Sequence, residues 1–584
     1  MAPAQTEPGH DSASLNAAWR IVDDAWQELQ RSPNVQQAMG ITPARLPDAS
    51  FAEAARRSET GRSLLRRLDM VDLSAVPHDV ALTLRLVRFR AHTWSREAEW
   101  YWNVVDPRGI GQFGLFFPTV YCGGSLLALV HRQFASFSFG ASGDTDRYLA
   151  LVADYTRLID QFTERTAGQA ERGLRMPKVQ VLQARTLLAA FKSGARAAIG
   201  VEPDRLTSVA GGHFTRELSS RIHNCVEPAF HRAAEALSDA YFERAPESVG
   251  IGQYTGGAEL YGELVKLNTT LDLTPEQVHA RGLERMAEVE MSMRAVQAEL
   301  GFEGDRAGFV AQLNANVYWR ANTAEGVAAV FKRYIDRLKP RLNESFSVMP
   351  KATYDVAPLA AALQASMTYG YYDFPKNDRN INLYMFNAAN LMNQPLFNIG
   401  ALTYHELMPG HHLQLATQQE NLNLHPFRAN SFVTAYVEGW AEYAATFAGE
   451  IGMYELPEER YGRLVMDAIL ATRLVVDTGM NALGWSLERA REYMRMHSRL
   501  AEAEILTESL RYSCDIPGQS LAYKLGDIQI LAMRDRMRRA LGARFDLRDF
   551  HGAILGPGAL PIPDLEWHLD YEIKRLSELG GTRR

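Results

Sequence analysis

Apolar residues recur at spacings of three and four, with charged residues between them, over Leu15–Leu29 and Arg147–Phe162, which is the period of an amphipathic helix. Long stretches of the chain repeat the pattern, so helices are expected to dominate. One helix start can be read residue by residue. Thr274 is an N-cap, Pro275 takes the first helical position and Gln277 is a capping-box partner, predicting a helix from Pro275 to about Leu300 that stops at Gly301. Between Tyr371 and Asn398 the pattern changes to aromatics, asparagines and β-formers, which predicts a loop with one or two strands. The uncharged stretch Gly111–Val130 is interrupted by Pro118, Gly123 and Gly124 and reads as a buried core segment rather than a membrane span. No internal repeat or low-complexity linker separates independent domains. The expected architecture is mainly α and two-lobed, with a small β element. Residues 1–250 form an N-terminal helical lobe and residues 251–584 a catalytic, metal-binding lobe of one continuous fold, with the glycine-rich Glu247–Gly257 as hinge.

Composition narrows the function classes. At 584 residues, 46% hydrophobic and 22% charged, the chain has the make-up of a globular protein able to bury a large core. A net charge of −7 without a basic block argues against nucleic acid as a partner. Cys122, Cys225 and Cys514 lie far apart and fit neither a disulfide framework nor a cysteine zinc site. The N-terminus shows no basic region followed by an apolar one, so the expected location is the cytoplasm, with no membrane association.

The informative segment runs Tyr404-His405-Glu406-Leu407-Met408-Pro409-Gly410-His411-His412-Leu413-Gln414. In HExxH, two histidines one helical turn apart reach one zinc while the glutamate beside the first serves as base. Here the second histidine stands six positions on, about 9 Å along a regular helix, too far to share a metal. Pro409 cannot donate the helical hydrogen bond to His405, and Gly410 can take backbone angles closed to other residues, so a bulge is expected to bring His411 into the second-ligand position, with His412 in reserve. The third ligand is sought in Tyr436-Val437-Glu438-Gly439-Trp440-Ala441-Glu442, where two glutamates share a helical face. Glu438 is the candidate ligand, Gly439 lets helices approach closely, and Glu442 is placed to orient a histidine.

These residues resemble the DUF885 family, bacterial proteins regarded as zinc-peptidase-like whose hallmark is HExxPGHHxQ followed by EGWA. The resemblance extends to Gly256-Gly257-Ala258, to Thr269 with Leu271–His279, to Val476-Asp477-Thr478-Gly479 with Gly484-Trp485, to Pro517–Gly526 and to Phe550-His551. It implies a helical gluzincin-like peptidase fold with the metal deep in a cleft. It also implies one Zn2+ per chain held by His405, His411 and Glu438, with Glu406 acting on water. The family often has histidine where this chain has Asn481, which leaves substrate and reaction open.

On this reading zinc lowers the pKa of bound water and Glu406 takes its proton, then passes it to the leaving amine. Tyr523 is the candidate donor to the developing oxyanion, followed by Tyr371 and Tyr372; Arg379 and Lys524 are candidates for holding a substrate carboxylate. The expected function is a zinc-dependent hydrolase of peptide or amide bonds, acting on short peptides or N-acyl amino acids, with homodimerisation left open. His425, Gln414 and Asp477 are further candidates for supporting the ligands, whereas His279 and His551 read as structural. Two histidines and a carboxylate also describe a non-haem iron oxygenase, and a repurposed biosynthetic enzyme or small-molecule scaffold is a third reading; a glutamate beside the first histidine favours the hydrolase.

Overall fold

The computed structural model describes residues 12–106, 109, 113–206, 211–359, 369–373 and 381–579. Residue contacts divide the chain into two compact units. One comprises residues 1–264 with 480–487 and 510–517, the other residues 265–479 with 488–509 and 518–584.

The first unit is built from helices. Those used below are α1 (Ser12–Leu29), α2 (Phe51–Leu68), α3 (His78–Ser95), α4 (Ser125–Ala135), α5 (Asp144–Glu171), α6 (Lys178–Ile199) and α7 (Glu227–Ala236). The expected periodic segments Leu15–Leu29 and Arg147–Phe162 fall in α1 and α5 and bury their apolar stripes. Phe113, Leu115, Phe116 and Phe117, followed by Leu126, Leu127, Leu129 and Val130 of α4, are all buried, so the described part of the uncharged stretch is core. Among the described residues no helix is long and apolar enough to cross a membrane. The glycine-rich loop after Glu247 lies within this unit: Gly250 has φ 90°, and the Ile251 N–H donates to Asn481 Oδ1 at 2.9 Å. Asn481 Nδ2 donates to the Tyr512 carbonyl at 2.9 Å, so both ends of this amide tie backbone segments together. The three cysteines are free thiols.

The second unit carries the sheet. Its first long helix, α8 (Pro275–Glu299), begins with the predicted capping box: Thr274 Oγ1 accepts from Gln277 N at 3.3 Å and Gln277 Oε1 accepts from Thr274 N at 2.9 Å. After α9 (Ala324–Leu338) come β1 (Thr353–Pro358), β2 (Gly370–Asp373) and β3 (Ile381–Phe386), in the order β1-β3-β2. β3 is central, parallel to β1 with Thr353 opposite Ile381, and antiparallel to β2 with Gly370 opposite Phe386. Asn382, Tyr384 and Phe386 alternate onto its buried face, where Tyr384 and Phe386 pack on Phe331 of α9. The remaining helices used here are α10 (Ile399–Glu406), α11 (His411–Glu420), α12 (Thr434–Glu450), α13 (Pro457–Asn481), α14 (Glu502–Leu510), α15 (Ala522–Leu541) and α16 (Leu547–Leu555). The fold is mainly α with a small three-stranded sheet, as the hydrophobic pattern predicts.

Candidate metal centre

The predicted bulge is not what this segment forms. α10 ends at Glu406, Leu407 leaves helical geometry (φ −109°, ψ −115°), the Met408–Pro409 peptide is cis, and α11 starts afresh at His411. Pro409 has no N–H to extend the ladder, and the backbone folds back so tightly that any Cβ at Gly410 would collide with the His405 carbonyl. Trp440 of α12 pins the turn by donating Nε1–H to the Pro409 carbonyl at 2.9 Å. A break between two helices thus does what a bulge within one was expected to do: it carries His411 back to His405.

His405, His411 and Glu438 come together, each offering a ligand atom within 4.8 Å of the others. Glu438 Oε2 lies 3.3 Å from His411 Nε2 and 3.8 Å from His405 Nε2. Ligands about 2.0–2.2 Å from one tetrahedral ion stand roughly 3.3 Å apart, so the three atoms fit a zinc-sized cation after small adjustments. They are 7%, 9% and 8% exposed, so a buried carboxylate and two imidazoles converge on one point. The donor set of two nitrogens and one oxygen is that of a catalytic zinc site with an open position.

Glu438 reaches this place because α12 lies directly on α15. A Cβ on Gly439 would stand 2.5 Å from the Gly526 Cα and 2.6 Å from its carbonyl carbon, so the two backbones meet glycine to glycine. One turn on, Glu442 is 2% exposed; its Oε1 lies 2.8 Å from His405 Nδ1 and its Oε2 3.0 Å from Arg463. The approach to His405 is off the N–H axis, which makes it a charge contact more than a linear hydrogen bond. It nevertheless favours the proton on Nδ1 and turns Nε2 toward the cluster. Burial drives the Glu442 pKa up, but Arg463, His405 and Lys524 outweigh it and hold the group at about 2. Burial likewise depresses His405, and the surrounding carboxylates, Glu442 foremost, more than reverse it. Glu438 is lowered despite burial, because His411, His405 and the Tyr523 hydroxyl stabilise its charge.

Glu406 differs from its neighbours. Its carboxylate has no ion pair or hydrogen bond among the described residues, and desolvation, helped by Glu438 and Glu442, raises its pKa against the pull of His405 and His411. Tyr523 of α15 is brought to the cluster: its ring stacks on His405 with centroids 6.3 Å apart, and its hydroxyl serves Glu438. The Arg473 guanidinium of α13 lies 4.9 Å from the centroid of the Tyr523 ring and binds Glu508 of α14 at 2.9 Å.

Other expected site residues stand elsewhere or are already committed. Lys524 does not hold a substrate carboxylate: it is buried, with Nζ 2.8 Å from Asp467 and 2.7 Å from Asp527. His412 is not a reserve ligand. Its Nε2–H donates to the Ala352 carbonyl at 3.2 Å and its Nδ1 accepts from the Tyr372 hydroxyl at 2.8 Å, and burial lowers its pKa to about 4. Tyr372, whose oxygen also accepts from Asn382, therefore holds β2 to α11. Tyr371 is its neighbour on β2, opposite Met385, and Arg379 lies outside the described residues. Gln414 donates to Gln418, His425 caps Phe427 and Asp477 accepts from Gly518 and Ser520, so none of these bonds supports the cluster. His279 meets Thr478, and His551 bridges Ser345 and Tyr443, both as packing residues. One group the sequence did not single out is Tyr384 of β3. Its hydroxyl is buried without a partner among the described residues, near enough to Glu406 for that charge to add to the effect of burial in raising its pKa.

Two solved structures share this fold. A "putative lipoprotein" from Colwellia psychrerythraea superposes with a TM-score of 0.83 at 22% identity, covering 97% of this chain and 100% of that one. A "putative lipoprotein of unknown function" from Shewanella oneidensis gives 0.72 at 16% identity, covering 95% and 99%. No curated protein matches the chain. Over residues 33–569, which include every residue of the cluster, the sequence matches the family described as bacterial protein of unknown function, DUF885, and the chain belongs to that family.

Proposed function

We propose that the protein is a zinc-dependent hydrolase of peptide or amide bonds, acting on short peptides or N-acyl amino acids. The observation that carries the reading is the carboxylate of Glu406, without a partner among the described residues, next in the chain to His405 and beside a convergent His405–His411–Glu438 set. Two histidines and a carboxylate alone serve several metals and reactions; an adjoining carboxylate left without a partner is what hydrolysis needs and an oxygenase does not.

His405, His411 and Glu438 would hold the zinc, which when bound supplies a positive charge that polarises a carbonyl and acidifies water. Glu442 and Arg463 keep His405 turned toward the cluster. Glu406 accepts the proton of the attacking water on its carboxylate and delivers it to the leaving nitrogen. Tyr523, the hydroxyl the fold brings to the cluster, is the donor assigned to the developing oxyanion. We place the enzyme in the cytoplasm on its free thiols; the lipoprotein names of the two structural neighbours set an envelope location against this, and cell fractionation separates the two.

The test is Glu406→Gln assayed on a panel of dipeptides and N-acetyl amino acids. Turnover is expected to fall about 10²-fold or more while bound zinc stays constant. Undiminished turnover in the variant would sink the hydrolase reading, and iron with oxygen consumption would replace it by the oxygenase.

A further inference from the structure

A cavity of about 490 Å³ lies wholly within the first unit, among α1, α2, α4, α5 and the segment Pro43–Ser50, and plays no part in the proposed hydrolysis. That volume suits a small-molecule ligand. Five arginines line it, and four of them have a carboxylate at hand: Arg31 with Glu53 at 3.6 Å, Arg45 with Asp154 at 2.7 Å, Arg57 with Glu28 at 3.1 Å, and Arg157 with Asp154 at 3.0 Å. Arg165 of α5 is the exception. It is 1% exposed, its Nη2 donates to the Val104 carbonyl at 2.9 Å, its guanidinium lies 4.7 Å from the Tyr101 ring centroid, and among the described residues its Nε has no partner and it has no ion pair. Burial without a counter-charge pulls its pKa down to about 10.

A guanidinium buried with no carboxylate beside it costs the fold several kcal/mol of desolvation, which the Val104 carbonyl and the Tyr101 ring offset only in part. A ligand carboxylate would supply the missing counter-charge, and arginine matches a carboxylate with two parallel N–H donors. Besides Glu28, Glu53 and Glu97, which pair with Arg31 and Arg57, the lining includes the buried apolar side chains Trp100, Phe113, Leu126 and Phe162, while Gln133 adds a buried Oε1 that has no donor among the described residues. The geometry points to this cavity as a binding site for a small organic carboxylate with an aromatic or aliphatic body, its carboxylate paired with Arg165 and its body against those side chains. The site is separate from the metal cluster, which belongs entirely to the second unit.

Calorimetric titration of the whole protein with phenylacetate and with octanoate, set beside phenylacetamide, tests the assignment. Saturable binding of at least one carboxylate is expected, with the neutral amide about tenfold weaker or more. Because a carboxylate can also bind a metal, the titration is repeated in His411→Ala, where binding is expected to persist, and in Arg165→Met, where it is expected to drop by about tenfold or more with no fall in the urea unfolding midpoint. If Arg165→Met does not fold, Ala54→Phe, which fills the cavity from α2, carries the test and is expected to abolish binding. Saturation by neither carboxylate, equal binding of the amide, loss of binding in His411→Ala, or undiminished binding in Arg165→Met or Ala54→Phe would each overturn it.

Discussion

Gly439→Ala isolates the contact that places Glu438. In an exposed helix the change would stabilise by about 1 kcal/mol, since alanine loses less conformational freedom on folding than glycine. In α12 the added methyl would stand 2.5 Å from the Gly526 Cα, 2.6 Å from its carbonyl carbon and 3.1 Å from the Asp527 nitrogen. Carbon atoms settle about 3.5–4.0 Å apart, so α12 and α15 must separate by about 1 Å, and the obstacles are backbone atoms with no rotamer to change. Overpacking of this kind costs about 1–3 kcal/mol, enough to cancel the propensity gain and exceed it. Glu438, one residue away, shifts with α12, while His405 and His411 are carried by α10 and α11, so the ligand set also opens. Urea unfolding with a chelator-competition zinc titration reads both effects, with Gly262→Ala as control, because a methyl there meets nothing within 4 Å. The expectation is a net loss of about 1–2 kcal/mol and weaker zinc for Gly439→Ala, against neutral or raised stability in the control. Gly439→Ala as stable and as tight for zinc as the parent would refute the packing argument.

Further outcomes follow from the same structure. Glu442→Gln removes the charge on His405 Nδ1 and is expected to weaken zinc by about 10–100-fold in chelator competition without changing the saturating stoichiometry; unchanged affinity would show that Glu442 supports nothing. Tyr384→Phe deletes a buried hydroxyl that has no partner among the described residues, so the unfolding free energy is expected to stay constant or rise by about 1 kcal/mol; a marked loss would contradict this. Burial holds His131 and His551 neutral in the fold, at about 4 and about 3, below the ordinary histidine value near 6.5. The unfolded chain therefore binds more protons in this window. The stability these two groups contribute is complete above about pH 6.5 and falls as pH drops toward 4, by at most about 2.7 kcal/mol per pH unit. His131→Gln is expected to flatten roughly half of that slope in urea midpoints taken between pH 7.5 and 5; an unaltered slope would contradict it.

Much of this was written locally in the chain. The periodicity of α1 and α5 and the cap at Thr274 are local signals, and each survives as an element. The convergent trio His405, His411 and Glu438 was legible because histidines, glutamates and a Pro-Gly break are chemically distinctive, and Gly439 announced a close helix approach whose partner, Gly526, it could not name. What stayed hidden depends on distant residues. Lys524 reads as a cation open to a substrate carboxylate until Asp467 of α13 and Asp527 fold against it. The choice between His411 and His412 rests on a helix restart that residue spacing cannot reveal, and β1, which shows no clear alternation of its own, is held by parallel pairing with the distant β3. The returns of residues 480–487 and 510–517 to the first unit carry no change of composition.

The most direct test of the central claim is the metal content of the purified protein, by elemental analysis, beside His411→Ala. The account predicts about one zinc per parent chain and its loss in the variant. A parent chain free of metal after purification in zinc-replete medium, or zinc retained in full by His411→Ala, would contradict it.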